Sequence, residues 1–280
     1  MQSPFVAAAV QLSAGLDKQT NLATATRLVR EAAGRGAQFV CLPELFNACG
    51  PMEALAALAE PVPGPTSEAM RGLAADLKIT LLAGSIAEQS QPPGRMFNTS
   101  LLFSPAGKLL ATYRKIHLFD VNLPGDATAP AVCVQESQHF QPGDNVIVAD
   151  TSLGRLGMSI CYDLRFPELY RQHATEQADV LPVAAAFTYT TGRDHWATLL
   201  KARAIENQAF VVAANQCGGA PLRKYGHSQI LGPWGEVLAA AEDQSEAVVI
   251  AALDPRRLDE VRGRVPALTH RRIGPPFSSR

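Results

Sequence analysis

The chain has 280 residues, 47% of them hydrophobic and 18% charged, with a formal net charge of −1. That is ample apolar material for a large core, and a near-neutral chain with a pI of about 6.6 sets up no global field for nucleic acid, acidic lipid or polyanions. Neither nucleic acid nor membrane is therefore an expected partner; a small molecule or another protein is.

Residues 1–4 lack a basic region, residues 5–10 are too short for a signal-peptide core, and no apolar run reaches membrane-span length, so the sequence predicts a cytoplasmic chain. Residues 5–12 are apolar and short. Residues 21–34 put Leu22, Ala25, Leu28, Val29 and Ala32 on helical spacing and end at a Gly, and residues 39–42 are apolar again; together these predict a β-α-β unit. A helix over 67–77 and a strand over 79–83 follow, then strands over 98–103 and 108–113 around the turn Ser104-Pro105-Ala106-Gly107. The second half predicts strands over 146–149 and 156–161, a helix over 167–177, a strand over 180–182, a helix over 194–208 and a strand over 210–214. It closes with strands over 228–232, 237–240 and 247–252 and a helix over 255–262. Alternation of this kind implies an α/β layered fold. The least regular segment, residues 120–142, is rich in Pro, Gly, Asp and Gln; it reads either as a surface insertion or as a functional loop.

Several chemistries are excluded by spacing. The six histidines never stand at i, i+3 or i, i+4 with another His or a Cys, and neither a Walker-type loop nor a Gly-x-Gly-x-x-Gly follows a strand, so no metal and no cofactor are expected. Ser159 in Gly157-Met158-Ser159-Ile160-Cys161 lacks the closing Gly of a serine-hydrolase elbow and faces away from Met158 and Ile160. The five cysteines are odd in number and widely spaced, which argues against disulfides. All but Cys161 read as small buried hydrophobes.

Cys161 ends a strand just before Asp163-Leu164-Arg165-Phe166-Pro167, where Pro167 suits a first helical turn. A thiol there faces backbone N–H groups, which favour thiolate and supply oxyanion donors, notably the N–H of Tyr162. A cysteine nucleophile needs a base, and no histidine is marked as one by its setting. Glu44, after the apolar run 39–42 and Pro43, stands at the C-terminal end of a strand, where α/β sheets hold their sites. Lys115 also follows a strand and can act as a fixed cationic donor.

These residues carry a resemblance. Phe39-Val40-Cys41-Leu42-Pro43-Glu44, Tyr113-Arg114-Lys115-Ile116-His117-Leu118-Phe119-Asp120 and Ile160-Cys161-Tyr162-Asp163-Leu164-Arg165-Phe166-Pro167-Glu168-Leu169 resemble, in order, the three catalytic motifs of the nitrilase (carbon-nitrogen hydrolase) superfamily. The likeness covers nearly the whole chain, continuing through Ala186-Phe187, Thr191-Gly192, His195-Trp196 and Pro233-Trp234-Gly235. It implies a four-layer α-β-β-α sandwich with residues 1–280 as one domain, assembled as a homodimer or higher homo-oligomer through helical faces. It also implies Glu44 as general base, Lys115 as cationic stabiliser, Cys161 as nucleophile and Glu136, in Gln135-Glu136-Ser137, as a second glutamate. The expected reaction is hydrolysis of a small linear amide through a thioester.

Within the superfamily, residues 161–166 and Phe119-Asp120 resemble the hydrolases of 2-oxo acid amides rather than true nitrilases. Tyr225-Gly226-His227-Ser228 is similar to the deaminated glutathione amidases, whereas omega-amidases, which act on 2-oxoglutaramate, tend to carry Trp before that Gly. The chain departs from the usual pattern at Ala184-Ala185-Ala186-Phe187, where Ser commonly precedes Ala-Phe, and across residues 217–222. Arg165 is the candidate cation for a substrate carboxylate, with an ion pair to Asp163 as its alternative, and Phe187 and Thr191 are candidates for the pocket wall. Hydrolysis of N-carbamoyl amides and a catalytically silent scaffold role stand as alternatives.

Overall fold

The structure, a computed structural model, describes residues 1, 3–91, 94–125, 131–219, 222–242 and 245–274. Two sheets form its centre. In the first, strands run in the order Ala247–Leu253, Phe5–Gln11, Phe39–Cys41, Thr80–Leu82, Phe97–Phe103 and Ile86–Glu88, with Leu109–Arg114 also paired to Phe97–Phe103. In the second the order is Val237–Ala240, Gln229–Leu231, Phe210–Asn215, Val180–Ala185, Gly154–Gly157 and Val148–Thr151, with the short strand Ser159–Ile160 beside Val180–Ala185.

The period-2 alternation of a strand explains how Phe5–Gln11 serves two interfaces. Phe5, Ala7 and Ala9 join Val180, Val183, Val211 and Ala213 of the second sheet in one core cluster. Ala8 and Val10 turn the other way and pack on Ala25, Leu28, Val29 and Ala32 of the helix Lys18–Gly34 and on Met70 and Leu73 of the helix Pro65–Leu77. The helices Pro167–Thr175 and Ala197–Asn207 cover the second sheet with Leu169, Tyr170, Leu200 and Ala204. The result is the four-layer α-β-β-α sandwich. No helix among the described residues is long and apolar enough to cross a membrane.

Most differences from the sequence expectation are at element ends. The first helix starts at Lys18 rather than 21, because the Asp17 carboxylate caps it, accepting from the N–H groups of Gln19 and Thr20. Expected strand 156–161 breaks into Gly154–Gly157 and Ser159–Ile160, and expected helix 194–208 is an α-helix, Ala197–Asn207, entered through a π turn, Gly192–Trp196. The helix Met52–Leu58 and the strand Ile86–Glu88 were not expected at all. Segment 120–142 holds a hairpin, Asp120–Leu123 against Val132–Gln135, running into a 3-10 turn at Glu136–Gln138; residues 126–130 of the segment lie outside the described residues.

His173, on the inner face of Pro167–Thr175, is fully buried, and neither ring nitrogen has a hydrogen-bond partner among the described residues. Burial pushes its pKa down to about 4, against a smaller opposing pull from the Asp163 charge. The unfolded chain binds this proton near pH 6.5 and the folded chain does not, so stability is fully present above 6.5 and falls as pH drops toward 4. The expected loss across that window is roughly 3 kcal/mol. His173→Leu should flatten the dependence, read by urea unfolding at several pH values; an unchanged slope would mean that other groups set it.

Candidate active site

The end of strand Phe39–Cys41 is pinned from both sheets. Leu45 holds a left-handed φ of 51°, with its N–H donating to Ser85 Oγ at 3.0 Å. Gln216 Nε2 donates to the carbonyls of Glu44 (2.8 Å) and Leu45 (3.2 Å). Gly84 is required beside them, since a Cβ there would stand 2.0 Å from the Pro43 carbonyl oxygen. This fixes Glu44, only 4% exposed, pointing between the sheets.

Lys115 arrives from the first sheet, one residue past Leu109–Arg114, with its N–H on the Asn98 carbonyl. Its ammonium is 2.9 Å from Glu44 Oε1 and 2.8 Å from Glu136 Oε2. Asn98 Nδ2 braces both carboxylates, donating to Glu44 Oε1 at 2.9 Å and Glu136 Oε1 at 3.3 Å. Two backbone donors complete the shell: Ala186 N–H to Glu44 Oε2 at 2.9 Å and Phe119 N–H to Glu136 Oε2 at 2.6 Å. Burial alone would draw the Lys115 pKa down, but the charges of Glu136 and Glu44 together raise it well above the ordinary lysine value. Lys115 is therefore a fixed cation, not a proton carrier.

Cys161 follows strand Ser159–Ile160 and opens the 3-10 helix Cys161–Arg165 with a φ of 46°. A left-handed non-glycine residue costs roughly 1–2 kcal/mol and persists only where its surroundings hold it. Asp163, with no exposed surface, does the holding. Its Oδ2 accepts from Ile160 N–H (2.9 Å) and the Tyr113 hydroxyl (2.6 Å), and its Oδ1 accepts from His117 N–H (3.0 Å) and lies 2.7 Å from His117 Nδ1. Tyr113 and His117 flank Lys115, so a single carboxylate locks the cysteine turn to the lysine strand. Tyr162 sits in the first turn of that helix, whose opening N–H groups have no intrahelical acceptor.

The expectation that the turn favours thiolate does not hold. Burial first, then the Glu44 charge and a hydrogen bond with Glu44, raise the Cys161 pKa well above the ordinary thiol value, against opposing contributions from Lys115 and the Ala186 backbone. One turn of 3-10 helix cannot offset burial beside a carboxylate. The resting group is a thiol that shares its cavity with the Glu44 carboxylate.

Glu44, Lys115, Glu136 and Cys161 line one cavity of about 390 Å³, together with Tyr162, Arg165, Phe187 and Thr191. Arg165 does not pair with Asp163, whose oxygens are taken; its guanidinium contacts His195 Nδ1 at 3.1 Å and stands over the rings of Phe187 and Tyr162. Phe187 packs against Trp196, and Thr191 Oγ1 is 2.9 Å from Thr188 Oγ1. Ser159 is outside the cavity, its hydroxyl bonded to Tyr170 and the Pro182 carbonyl. All five cysteines are free; Cys41 and Cys217 are buried as expected, whereas Cys133 is exposed and Cys49 forms part of the cavity wall.

Sequence reasoning missed Asn98, the Ala186 N–H and Asp163 as the lock. The signal for Asn98 lay in Asn98-Thr99-Ser100, three polar residues opening an otherwise apolar strand and all buried.

A profile of the family "Carbon-nitrogen hydrolase" matches residues 6–263. The omega-amidase NIT2 of Homo sapiens is 39% identical over 270 residues, 96% of this chain and 95% of that one. The deaminated glutathione amidase of Synechocystis sp. (strain PCC 6803 / GT-S) is 40% identical over 272 residues, 96% of this chain and 98% of that one. Among solved structures, the C. elegans NitFhit protein superposes with a TM-score of 0.88 at 35% identity, over 96% of this chain; the chain spans 65% of that longer protein.

Asp163→Ala should strip acceptors from Tyr113, Ile160 and His117 together and lower stability by about 3 kcal/mol. Tyr113→Phe, which loses one bond, should cost about 1 kcal/mol. Urea unfolding compares them; equal losses would mean that the lock acts through Tyr113 alone.

Proposed function

The chain belongs to the carbon-nitrogen hydrolase family, and on that premise we propose that it is an amidase which opens a small linear amide through a thioester on Cys161, residues 1–280 working as one hydrolase domain. The observation that carries this reading is the Lys115 ammonium held at 2.9 Å and 2.8 Å between Glu44 and Glu136, in the same cavity as the thiol. That arrangement has a general base, a fixed cation and a nucleophile, and a binding protein would need none of the three.

Glu44 takes the thiol proton as Sγ bonds to the amide carbon, and the carbonyl oxygen becomes an oxyanion facing Lys115 Nζ and the Tyr162 N–H. Collapse breaks the C–N bond while Glu44 returns the proton to the departing nitrogen. Water then loses a proton to Glu44 and attacks the thioester; the acid leaves and Sγ regains a proton from Glu44. Glu136 spends its oxygens on Lys115, Phe119 and Asn98, so its role is to aim the cation.

Arg165 suits a carboxylate on the substrate, and Phe187 and Thr191 border the acyl group. Tyr225-Gly226-His227-Ser228 supports a deaminated glutathione amidase-like substrate, and the omega-amidase relative of equal coverage keeps 2-oxoglutaramate as the second reading. The reading includes a cytoplasmic homodimer. Ile205 and Trp234, both more than half exposed, support pairing at the outer helical face, since the turn at Gly235 brings them together.

Deaminated glutathione and 2-oxoglutaramate should each release acid, and Cys161→Ala should lower turnover by at least ~10³-fold. With a slow substrate, mass spectrometry should find an acyl mass on Cys161. Wild-type turnover by Cys161→Ala would end this proposal. Light scattering should give twice the chain mass, and a monomer at micromolar concentration would remove the dimer.

A further inference from the structure

His117 stands two residues after Lys115 in the same motif, yet no step of the amide hydrolysis uses it. It does not line the cavity, and its side chain is 25% exposed. Its polar and ring contacts lead instead to the 3-10 helix Cys161–Arg165 and its exit. The backbone N–H donates to Asp163 Oδ1 at 3.0 Å, and Nδ1 lies 2.7 Å from the same oxygen. A carboxylate oxygen only accepts, so Nδ1 carries a proton there. The ring lies flat on Phe166, with centroids 3.7 Å apart and planes within 7°, at the residue between Arg165 and the helix Pro167–Thr175. Asp163 accepts four hydrogen bonds, and His117 supplies two of them.

Phe166 is also one link in a chain of rings. It meets Tyr162 edge-on at 5.3 Å, and Tyr162 meets Phe119 edge-on at 5.0 Å. His117 and Phe119 come from the segment after Lys115, whereas Tyr162 and Phe166 come from the cysteine side, so the lysine segment grips the cysteine turn from both ends of the chain. The circuit closes on the charged cluster: the Phe119 N–H donates to Glu136 Oε2 at 2.6 Å, and that oxygen holds the Lys115 ammonium at 2.8 Å. Gripped in the middle is Tyr162, whose N–H is the oxyanion donor of the proposed reaction. Stacked rings tolerate sideways slip, whereas a hydrogen bond is directional. The His117–Asp163 bond is therefore the contact that fixes register, and the rings fix separation.

We propose that His117 is a positioning residue for acyl transfer: bonded to Asp163 and stacked on Phe166, it holds the turn Cys161–Arg165 in register with Lys115, so that Sγ and the Tyr162 N–H meet the amide carbonyl from fixed positions. This rests on the amidase reading. His117 touches neither substrate nor reacting atoms and acts only through Asp163 and Phe166. Cys161 needs such support because its left-handed φ of 46° is held by its surroundings. A misplacement of about 1 Å at reacting atoms can cost on the order of 100-fold in rate, so the loss of one directional bond at this turn falls on the chemical step rather than on substrate binding.

Two substitutions separate the bond from the stack. His117→Phe keeps a ring for Phe166 and loses the Nδ1 donor; His117→Asn keeps an N–H at the place of Nδ1 and loses the ring. With 2-oxoglutaramate or deaminated glutathione, kcat per folded enzyme should fall at least about tenfold in His117→Phe while KM stays within about twofold, and His117→Asn should return kcat to within about threefold of wild type. Urea unfolding supplies the folded fraction, and His117→Leu takes the place of His117→Phe if that variant does not fold. Wild-type kcat in His117→Phe, a loss carried by KM, or an Asn variant no better than the Phe variant overturns the proposal. As a readout that needs no turnover, iodoacetamide should alkylate Cys161, followed by mass spectrometry, at least about threefold more slowly in His117→Phe than in wild type, because a displaced Sγ loses its proton to Glu44 less readily. An equal or faster rate overturns the proposal as well. Wild-type protein that hydrolyses neither oxo-acid amide defeats the amidase reading itself, and the labelling rates then decide whether His117 places Cys161.

Discussion

A lysine ammonium held between two glutamates, out of contact with water, is the interaction around which the rest of the structure is organised. Burying three charges costs several kcal/mol for each ion, and their attraction offsets this only if the geometry is close and the remaining lone pairs are filled. The protein meets both conditions. Lys115 reaches Glu44 and Glu136 within 3 Å, and Asn98, Ala186 and Phe119 fill the carboxylate oxygens with neutral donors. Those groups come from the first sheet, the second sheet and the hairpin segment, so the cluster exists only when all three are docked. Burial first, and then the Glu44 charge, keep the neighbouring Cys161 thiol protonated.

The α/β alternation and the positions of Glu44, Lys115 and Cys161 at strand ends could be read from the sequence because buried strands leave continuous apolar runs and chemistry collects where those runs stop. Less was readable where the determining contacts are long-range. The hairpin in segment 120–142 is built from strands of only four residues each, Asp120–Leu123 and Val132–Gln135, too short for their alternation to stand out, and its polar composition resembles that of a loop. Asp163 could be noticed as an odd polar residue, but not as the acceptor for Tyr113, 50 residues away. Thiol protonation was misjudged for a related reason. A strand-to-helix turn is visible in sequence, whereas the depth of the turn and the carboxylate packed against it are not.

The same distinction applies to the cavity wall. Phe187 and Thr191 follow a buried strand and were within reach of motif reasoning, while Lys224, also on the wall, gains its position from a hairpin of two-residue strands, Cys217–Gly218 against Lys224–Tyr225. Its partner strand is anchored through Gln216, a side chain that binds the carbonyls of Glu44 and Leu45 from the opposite sheet. The hairpin on the wall and the charged cluster beneath it are therefore joined through one side chain.

Keeping Cys161 protonated at rest has a consequence for endurance. Peroxide and electrophilic metabolites attack thiolates, and susceptibility follows thiolate character and exposure. A protonated thiol only 8% exposed is a poor target for both. Such a thiol is less readily sulfenylated than a permanently ionised cysteine would be at the same place.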